Sequence, residues 1–398
     1  MGRRIISAKV DMFVWNTFQN DARVQNEADT LARAGYRVTV HALHAPGYTA
    51  RTESLSSGVE VVRHGRIQGL RLLEPRKHTA GRSRVQLLTL MLSRLLTHLA
   101  VLVSLLRKRP DVIHAHDVNV LPTSWLAARL SGARLVYDAH EISSGREGYR
   151  KIGRMVACLE GAIMPRAAGS ITTTDARAKF FARAYGMERP IVLQNRPRLT
   201  KVGRGNRIRE ELSLDEDWPI VLYQGGLQPG RGLLRLVEVT KDVPGAYFVF
   251  VGGGSQADEL EQRTKELGLE DRVKFIPTVP LQDLPYYTAS ADIGVQPIEN
   301  TCLNHFTTDS NKLFEYVVAR IPVVASALPE IAQVIRKYDL GVLVKPGDSE
   351  DLADAINRLV KDPGLRKRYS SNAETAANQL NWEEQEGSLV ELYERVLS

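Results

Sequence analysis

The sequence predicts an α/β protein built from two doubly wound, Rossmann-like domains. Three observations carry this. Short β-branched runs alternate with amphipathic helices through both halves, the pattern of parallel sheets covered on both faces. The alternation breaks once, at Asn195-Arg-Pro-Arg-Leu-Thr-Lys-Val-Gly-Arg-Gly205, a stretch of linker composition, and then restarts. The chain has 398 residues, 43% of them hydrophobic, enough for two or three domains with sizeable cores. Domains are expected at 1–195 and 206–380, with a terminal helix over 381–398.

In the first half, Ile5 to Val14 reads as a strand. Asn20 or Asp21 can cap a helix through Val24, Ala28 and Leu31, closed by Gly35. Strands follow at Arg37–Leu43 and Gly58–Val62. The stretch Val85 to Leu106 is the most apolar, broken by Gln86, Thr89, Ser93, Arg94, Thr97 and His98 at roughly helical spacing. It reads as a mostly buried helix with one wet stripe rather than a membrane span. Asp111–His116, Ala133–Tyr137, Ser170–Thr173 and Pro190–Leu193 read as strands, and Leu121–Leu130, Gly148–Ala168 and Ala176–Tyr185 as helices. The second half repeats the scheme. Strands are expected at 219–224, 246–251, 273–276, 293–296, 321–325 and 341–344. Helices are expected at 230–239, 255–267, 352–360, beyond Pro363 and over 382–397.

Composition excludes several classes. Cys158 and Cys302 form no disulfide framework or metal-ligand cluster, which fits a reducing, cytoplasmic setting. Met1-Gly-Arg-Arg-Ile-Ile-Ser lacks the long apolar core of a signal peptide. Residues 1–200 hold 31 Lys and Arg against 15 Asp and Glu, while the whole chain carries only +7. A basic half beside an acidic half points to an anionic partner. The densest stretch, Arg63 to Arg84, includes Arg66, Arg71, Arg76, Lys77 and Arg82. It has no interleaved aromatic residues for base stacking, so an anionic membrane surface is expected rather than nucleic acid.

Ligands of open α/β sheets bind beyond the carboxyl ends of strands, and several stretches lie there. His114-Ala-His116-Asp117 ends one strand, with Asp138-Ala-His140-Glu141 on the next; alternation puts His114 and His116 on one face. Paired histidines suit proton transfer, or a metal if further ligands converge. Tyr223-Gln-Gly-Gly-Leu-Gln-Pro-Gly-Arg-Gly232 and Val251-Gly-Gly-Gly254 are glycine-rich turns that bring backbone N–H groups near phosphate. Ser310-Asn-Lys-Leu-Phe-Glu-Tyr-Val-Val starts a helix that Asp309 and Ser310 can cap and that stops at Pro322. Leu313, Phe314 and Val317 share one face of it; Asn311, Lys312, Glu315 and Ala319 share another. An ammonium and a carboxylate near a helix N-terminus suit a phosphate and a ribose diol.

The run Asn311 to Ser326 resembles the nucleotide-sugar-binding helix of retaining GT-B glycosyltransferases of family 4. In one branch an S/P-N-K-L-F-E-Y run precedes G-x-P-V-V. The resemblance extends over nearly the whole chain and is strongest from Tyr223 to Ser326. It implies the GT-B arrangement: two doubly wound domains facing a cleft, the terminal helix crossing back to the first domain. It implies a UDP- or GDP-sugar donor, a hydroxyl acceptor, no metal and no cofactor. By the same resemblance Glu315 binds the ribose, with Asn311 and Lys312 beside it. Gly225, Gly226 and Arg231 meet the diphosphate, Gly252 and Gly253 the nucleotide, and Thr278 the base. His116 lies near the donor sugar, and His116, Arg231 and Lys312 are the catalytic candidates. Asn20, Asp21, His140 and Glu141 fall on the acceptor side. Four positions depart from the pattern. Arg320 stands for the usual Gly before the strand, and Thr307 for the first Glu of E-x7-E. Gly226 stands for the Arg of the phosphate turn, and Arg231 for its Lys. The alternatives are a non-catalytic GT-B subunit that binds nucleotide or lipid beside a partner, and a GT-B sugar epimerase.

Overall fold

The computed structural model describes residues 8–65, 84–145, 152–200 and 202–398. The basic residues Arg66, Arg71, Arg76, Lys77 and Arg82 lie outside the described residues. The chain divides into two units, Met1–Leu193 with Glu386–Ser398, and Gln194–Gln385.

In the first unit the order is β1 (Lys9–Phe13), α1 (Ala22–Arg33), β2 (Arg37–His44), β3 (Thr52–Ser54), β4 (Glu60–Gly65) and α2 (Arg84–Lys108). Then come β5 (Val112–His116), α3 (Leu121–Ser131), β6 (Arg134–Ala139), α4 (Gly153–Ile163), β7 (Gly169–Thr172), α5 (Asp175–Tyr185) and β8 (Ile191–Val192). The described strands form one sheet in the order β3-β4-β2-β1-β5-β6-β7-β8, parallel except for β3. The direction of winding switches between β1 and β5.

The second unit runs α6 (Arg207–Leu212), β9 (Ile220–Gln224), α7 (Leu233–Val239), β10 (Tyr247–Val251), α8 (Ala257–Glu266), β11 (Val273–Ile276), α9 (Leu284–Thr288) and β12 (Ile293–Gln296). It continues with α10 (Leu303–Phe306), α11 (Asn311–Val318), β13 (Val323–Ser326), α12 (Pro329–Tyr338), β14 (Gly341–Val344), α13 (Ser349–Lys361) and α14 (Pro363–Ala377). Its described strands are all parallel, in the order β11-β10-β9-β12-β13-β14, with the switch between β9 and β12. Strand alternation divides its core in two. Ile220, Leu222, Tyr247 and Val249 enter one cluster, while Val221, Tyr223, Phe248 and Phe250 enter the other. The chain ends in α15 (Glu386–Leu397), which belongs to the first unit. Its Leu389, Leu392, Tyr393 and Val396 are buried, and Leu392 presses on β7 at Gly169.

Three expectations need correction. The stretch of linker composition is tied down at its start: Arg196 Nη1 donates to Gln379 O at 2.9 Å, and Trp382 N to Pro197 O at 2.9 Å. The helix expected from Gly230 begins only at Leu233, because Gly232 takes φ +71° against Pro297 O. The largest departure is α2. Its buried residues are Ser93, Thr97, Val101 and Leu105, so the semi-polar stripe faces the protein. The Thr97 hydroxyl satisfies itself on Ser93 O at 2.9 Å. The apolar face looks outward, with Leu88 66% and Leu95 55% exposed.

Gly294 in β12 lies under the Tyr316 ring, whose hydroxyl donates to Leu222 O and Val295 O. A Cβ there would meet Tyr316 Cγ at 2.4 Å. Gly294→Ala is expected to lower stability by about 1–3 kcal/mol through overpacking, read as a fall in the urea midpoint.

Candidate active site

Each sheet changes winding direction between two central strands, and ligands of this architecture bind at the carboxyl ends of those strands. In the second unit these ends are Gln224 of β9 and Gln296 of β12, both fully buried. The turn after β9 crosses the turn after β10 with no room for side chains. A Cβ on Gly252 (φ +146°) would meet Gly225 O at 2.1 Å, and one on Gly254 would meet Leu227 O at 2.2 Å. Gly225 N donates to Val251 O, and Leu227 N to Gly253 O.

Over this crossing lies the first turn of α11. Lys312 passes close above Gly225, where an added Cβ would meet its Cε and Nζ at 3.1 Å. Lys312 Nζ lies 5.1 Å from the centre of the Tyr223 ring, whose hydroxyl holds Gly226 O at 3.0 Å. Burial, and then the nearby charge of Arg231, lower the Lys312 pKa to about 8. One turn on, Glu315 Oε2 accepts from Gln224 Nε2 at 2.6 Å, and Gln224 Oε1 accepts from Thr288 Oγ1 at 2.8 Å. Burial raises the Glu315 pKa against the opposing effects of Gln224 and Lys312. Lys312, Glu315, Arg231 and Gly225 are thus brought together. Gly253 adjoins Thr278, whose Oγ1 would lie 3.0 Å from an added Cβ. Gly226 is open: a Cβ there meets only Gln228 Cγ at 3.5 Å. Asn311 is exposed at the helix start.

The capping of α11 differs from expectation. Ser310 is the N-cap with φ +48° and makes no side-chain cap bond. Asp309 Oδ2 accepts from Gln194 Nε2 instead. The N–H groups of Asn311 and Lys312 take no partner among the described residues, which leaves them to a ligand or to solvent. Thr307, at the position of the first Glu, turns its hydroxyl back onto Leu303 O of its own short helix at 2.9 Å. Arg320, in the place of the usual Gly, adopts φ +60°.

In the first unit the carboxyl ends of β5 and β6 carry a largely buried network. Arg23 of α1 grips Asp138 with two bonds, Nε to Oδ2 at 2.7 Å and Nη2 to Oδ1 at 2.8 Å. His140 Nε2 lies 2.9 Å from the same Oδ2. Burial would raise the Asp138 pKa, but Arg23 and His140 hold it well below the usual range. Burial would likewise lower that of His140, yet Asp117 and Asp138 lift it to about 9, so it is a cation at neutral pH. His116 is 1% exposed and stacks on His114 with ring centres 4.2 Å apart. Burial keeps both imidazoles neutral against the pull of Asp138. Burial and the Asp138 charge raise the Glu27 pKa well above the ordinary value. His114 Nδ1 lies 2.9 Å from the Tyr393 hydroxyl of α15.

Glu27, His114, His116 and Asp138 offer ligand atoms within 4.8 Å of one another. The donor set fits an ion-pair network better than a metal site, because the Arg23 guanidinium already occupies both Asp138 oxygens and reaches within 3.1 Å of Glu27 Oε1. The group of this network that reaches the surface is His140, at 18% side-chain exposure, rather than His116. Glu141 is partly buried. Asp21 caps α1 by accepting from Val24 N at 3.2 Å, and also from Asn16 Nδ2 at 2.7 Å. Asn20 beside it is exposed.

Four residues escaped the sequence reading: Arg23, Glu27, Gln224 and Gln296. The two Gln296 amide atoms find no hydrogen-bond partner among the described residues. A glutamine closing an otherwise apolar strand was the available signal for the last two.

Comparison with known proteins assigns the architecture first. The structure is similar to sucrose-phosphate synthase from Thermosynechococcus elongatus, with TM-score 0.79 and 19% identity over 98% of this chain and 99% of that one. It is also similar to Anabaena HepE in complex with UDP and glucose, with TM-score 0.74 and 20% identity over 97% of this chain and 99% of that one. The two parallel-sheet units are those of the GT-B class. Residues 21–195 match the glycosyl transferase 4-like domain, and residues 205–376 match glycosyl transferases group 1. The chain therefore belongs to the group 1, family 4 glycosyltransferases. A curated relative, the D-inositol 3-phosphate glycosyltransferase of Xylanimonas cellulosilytica, is 25% identical over 305 residues, 71% of each chain.

The network around Asp138 gives two expected outcomes. Asp138→Asn leaves Arg23 buried without its carboxylate and should cost about 3–5 kcal/mol, read by chemical denaturation. The His140 pKa lies above its ordinary 6.5, so its contribution to stability is complete below pH 6.5 and is lost as pH rises through about 9. His140→Gln should flatten the stability profile in that window.

Proposed function

We propose that the protein is a retaining hexosyltransferase. It moves a sugar from a UDP- or GDP-sugar to a hydroxyl in glycolipid, polysaccharide or other glycoconjugate synthesis. It is cytoplasmic, peripheral to the membrane and metal-independent. The observation that carries this reading is the placement of Lys312 and Glu315 on one face of α11, over the glycine crossing at Gly225 and within the field of Arg231. The relative that acts on inositol 3-phosphate and the neighbour crystallised with UDP support a nucleotide-sugar donor and favour UDP.

In this scheme the Glu315 carboxylate accepts from the ribose diol. Gln224 fixes one of its oxygens and leaves the other for the ligand. The diphosphate lies against Lys312, Arg231 and the free N–H groups at the start of α11. As the glycosidic bond breaks, charge grows on the leaving phosphate, and groups aimed at it stabilise the transition state more than the ground state. Two fixed cations meet that charge without a metal ion. The leaving phosphate assists the incoming hydroxyl, so no protein base is called for; within the first unit His116 is buried and held by its neighbours. Asn20 and Glu141, beyond β1 and β6, serve the acceptor side.

Glu315→Gln should lose most UDP affinity without unfolding, since a charge-assisted hydrogen bond contributes roughly 1.5–3 kcal/mol. An unchanged dissociation constant by calorimetry would remove α11 from the donor site. Activity should survive EDTA; loss restored by Mn²⁺ would sink the two-cation scheme.

Lys312 supplies a pH test. Its pKa is lowered, so the cation is present below about pH 8 and is lost above it. The kcat/KM profile of the free enzyme should fall through that pH, and Lys312→Arg should carry the plateau to higher pH. Lys312→Ala should cost about 10²–10³ in kcat. Gly226→Arg, at a position with room for a side chain, should restore part of it.

A further inference from the structure

Helix α2 is inverted relative to an ordinary surface helix. Such helices bury their apolar stripe and wet the polar one. Here Ser93, Thr97, Val101 and Leu105 are buried. On the opposite face, Val85, Leu88, Leu92, Leu95, Leu99 and Val103 are 44–71% exposed. No polar or charged side chain interrupts that outer stripe, which runs for about 27 Å. The helix is long and apolar enough to cross a bilayer, yet only 17% of its most apolar window is buried. Its inner stripe is packed on the protein. Leu130 of α3 and Met155 of α4 are exposed as well. An apolar face of this extent marks an interaction surface.

Charge identifies the occupant. Among α2, α3 and α4 the single acidic residue is Glu160, which is buried and bonded to the Tyr137 and Tyr185 hydroxyls. Arg84, Arg107, Lys108, Arg129 and Arg154 on the same helices are exposed. A second copy would set these cations against their own kind. Anionic lipid headgroups complement them while the leaflet takes the apolar stripe.

We propose that the outer face of α2 lies in the headgroup region of an anionic bilayer and docks the enzyme there. This rests on the peripheral-membrane reading above and names the surface responsible. The sequence placed that role in the Arg63–Arg84 stretch; the structure assigns the apolar contact to α2.

The test is co-sedimentation of the full chain with phosphatidylglycerol-containing and pure phosphatidylcholine vesicles, with the triple variant Leu88→Glu, Leu92→Glu, Leu95→Glu. These side chains are exposed, so the variant should keep the parent's melting temperature and UDP affinity. The parent should bind the anionic vesicles, more weakly in high salt, and the variant should lose at least about tenfold of that binding. Equal binding by parent and variant would overturn the α2 assignment while leaving a peripheral enzyme. No binding by the parent would overturn both. If light scattering finds a dimer of the parent that the variant dissociates, with no vesicle binding, the face is an interface between copies and the proposal fails. If the variant melts early, Arg107→Glu with Lys108→Glu replaces it, with weakened anionic binding expected and unchanged binding overturning the proposal.

Discussion

Two backbones cross at Gly225 and Gly252 closer than any side chain allows, and the candidate site of the second unit depends on that crossing. A Cβ on Gly252 would meet a carbonyl oxygen at 2.1 Å, a clash no rotamer relieves because the obstacle is backbone. The close approach leaves the carboxyl ends of β9 and β10 bare. Lys312 can then reach over Gly225, and Glu315 can meet Gln224 at the end of β9. Both side chains come from one short helix, so their spacing is set by the helical repeat rather than by loop conformation. The partial burial that follows tunes both groups toward neutrality.

The first unit solves a different problem. It buries Asp138 completely and satisfies it with Arg23, His140 and the neighbouring imidazole of His116. Arg23, Asp138 and His140 carry charge, while burial keeps His114 and His116 neutral. Such a network is costly to assemble in low dielectric and costly to break. It fixes β5, β6 and α1 against each other beside the sheet's switch point, so the His140 surface is presented on a rigid base.

The sequence was most legible where physics is local. β-branched runs placed the strands, and the helical repeat put Lys312 and Glu315 on one face. Motif resemblance added the family and the fold. What failed was non-local. Periodicity revealed that α2 has two unlike faces, but carries no sign saying which one meets the core. Arg23 and Asp138 are 115 positions apart, and no spacing rule joins them. Ser310 looked like a cap by residue type; its φ of +48° aims the backbone elsewhere. Thr307 differs from an acid in the sequence, yet only the structure reveals its hydroxyl turned onto its own helix.

The terminal helix has a consequence for synthesis. Leu389, Leu392, Tyr393 and Val396 complete the core of a unit whose other residues end at Leu193. These residues are made after every residue of the second unit. The second unit, unbroken in sequence from Gln194 to Gln385, has all its parts while the first still lacks a wall. Vectorial folding is therefore reversed: the half made first is the half finished last. Until α15 arrives, His114 has no tyrosine hydroxyl to meet and β7 is bare at Gly169. Chains stalled or clipped before α15 should strand the N-terminal half in that unfinished state, where chaperones and proteases compete for it.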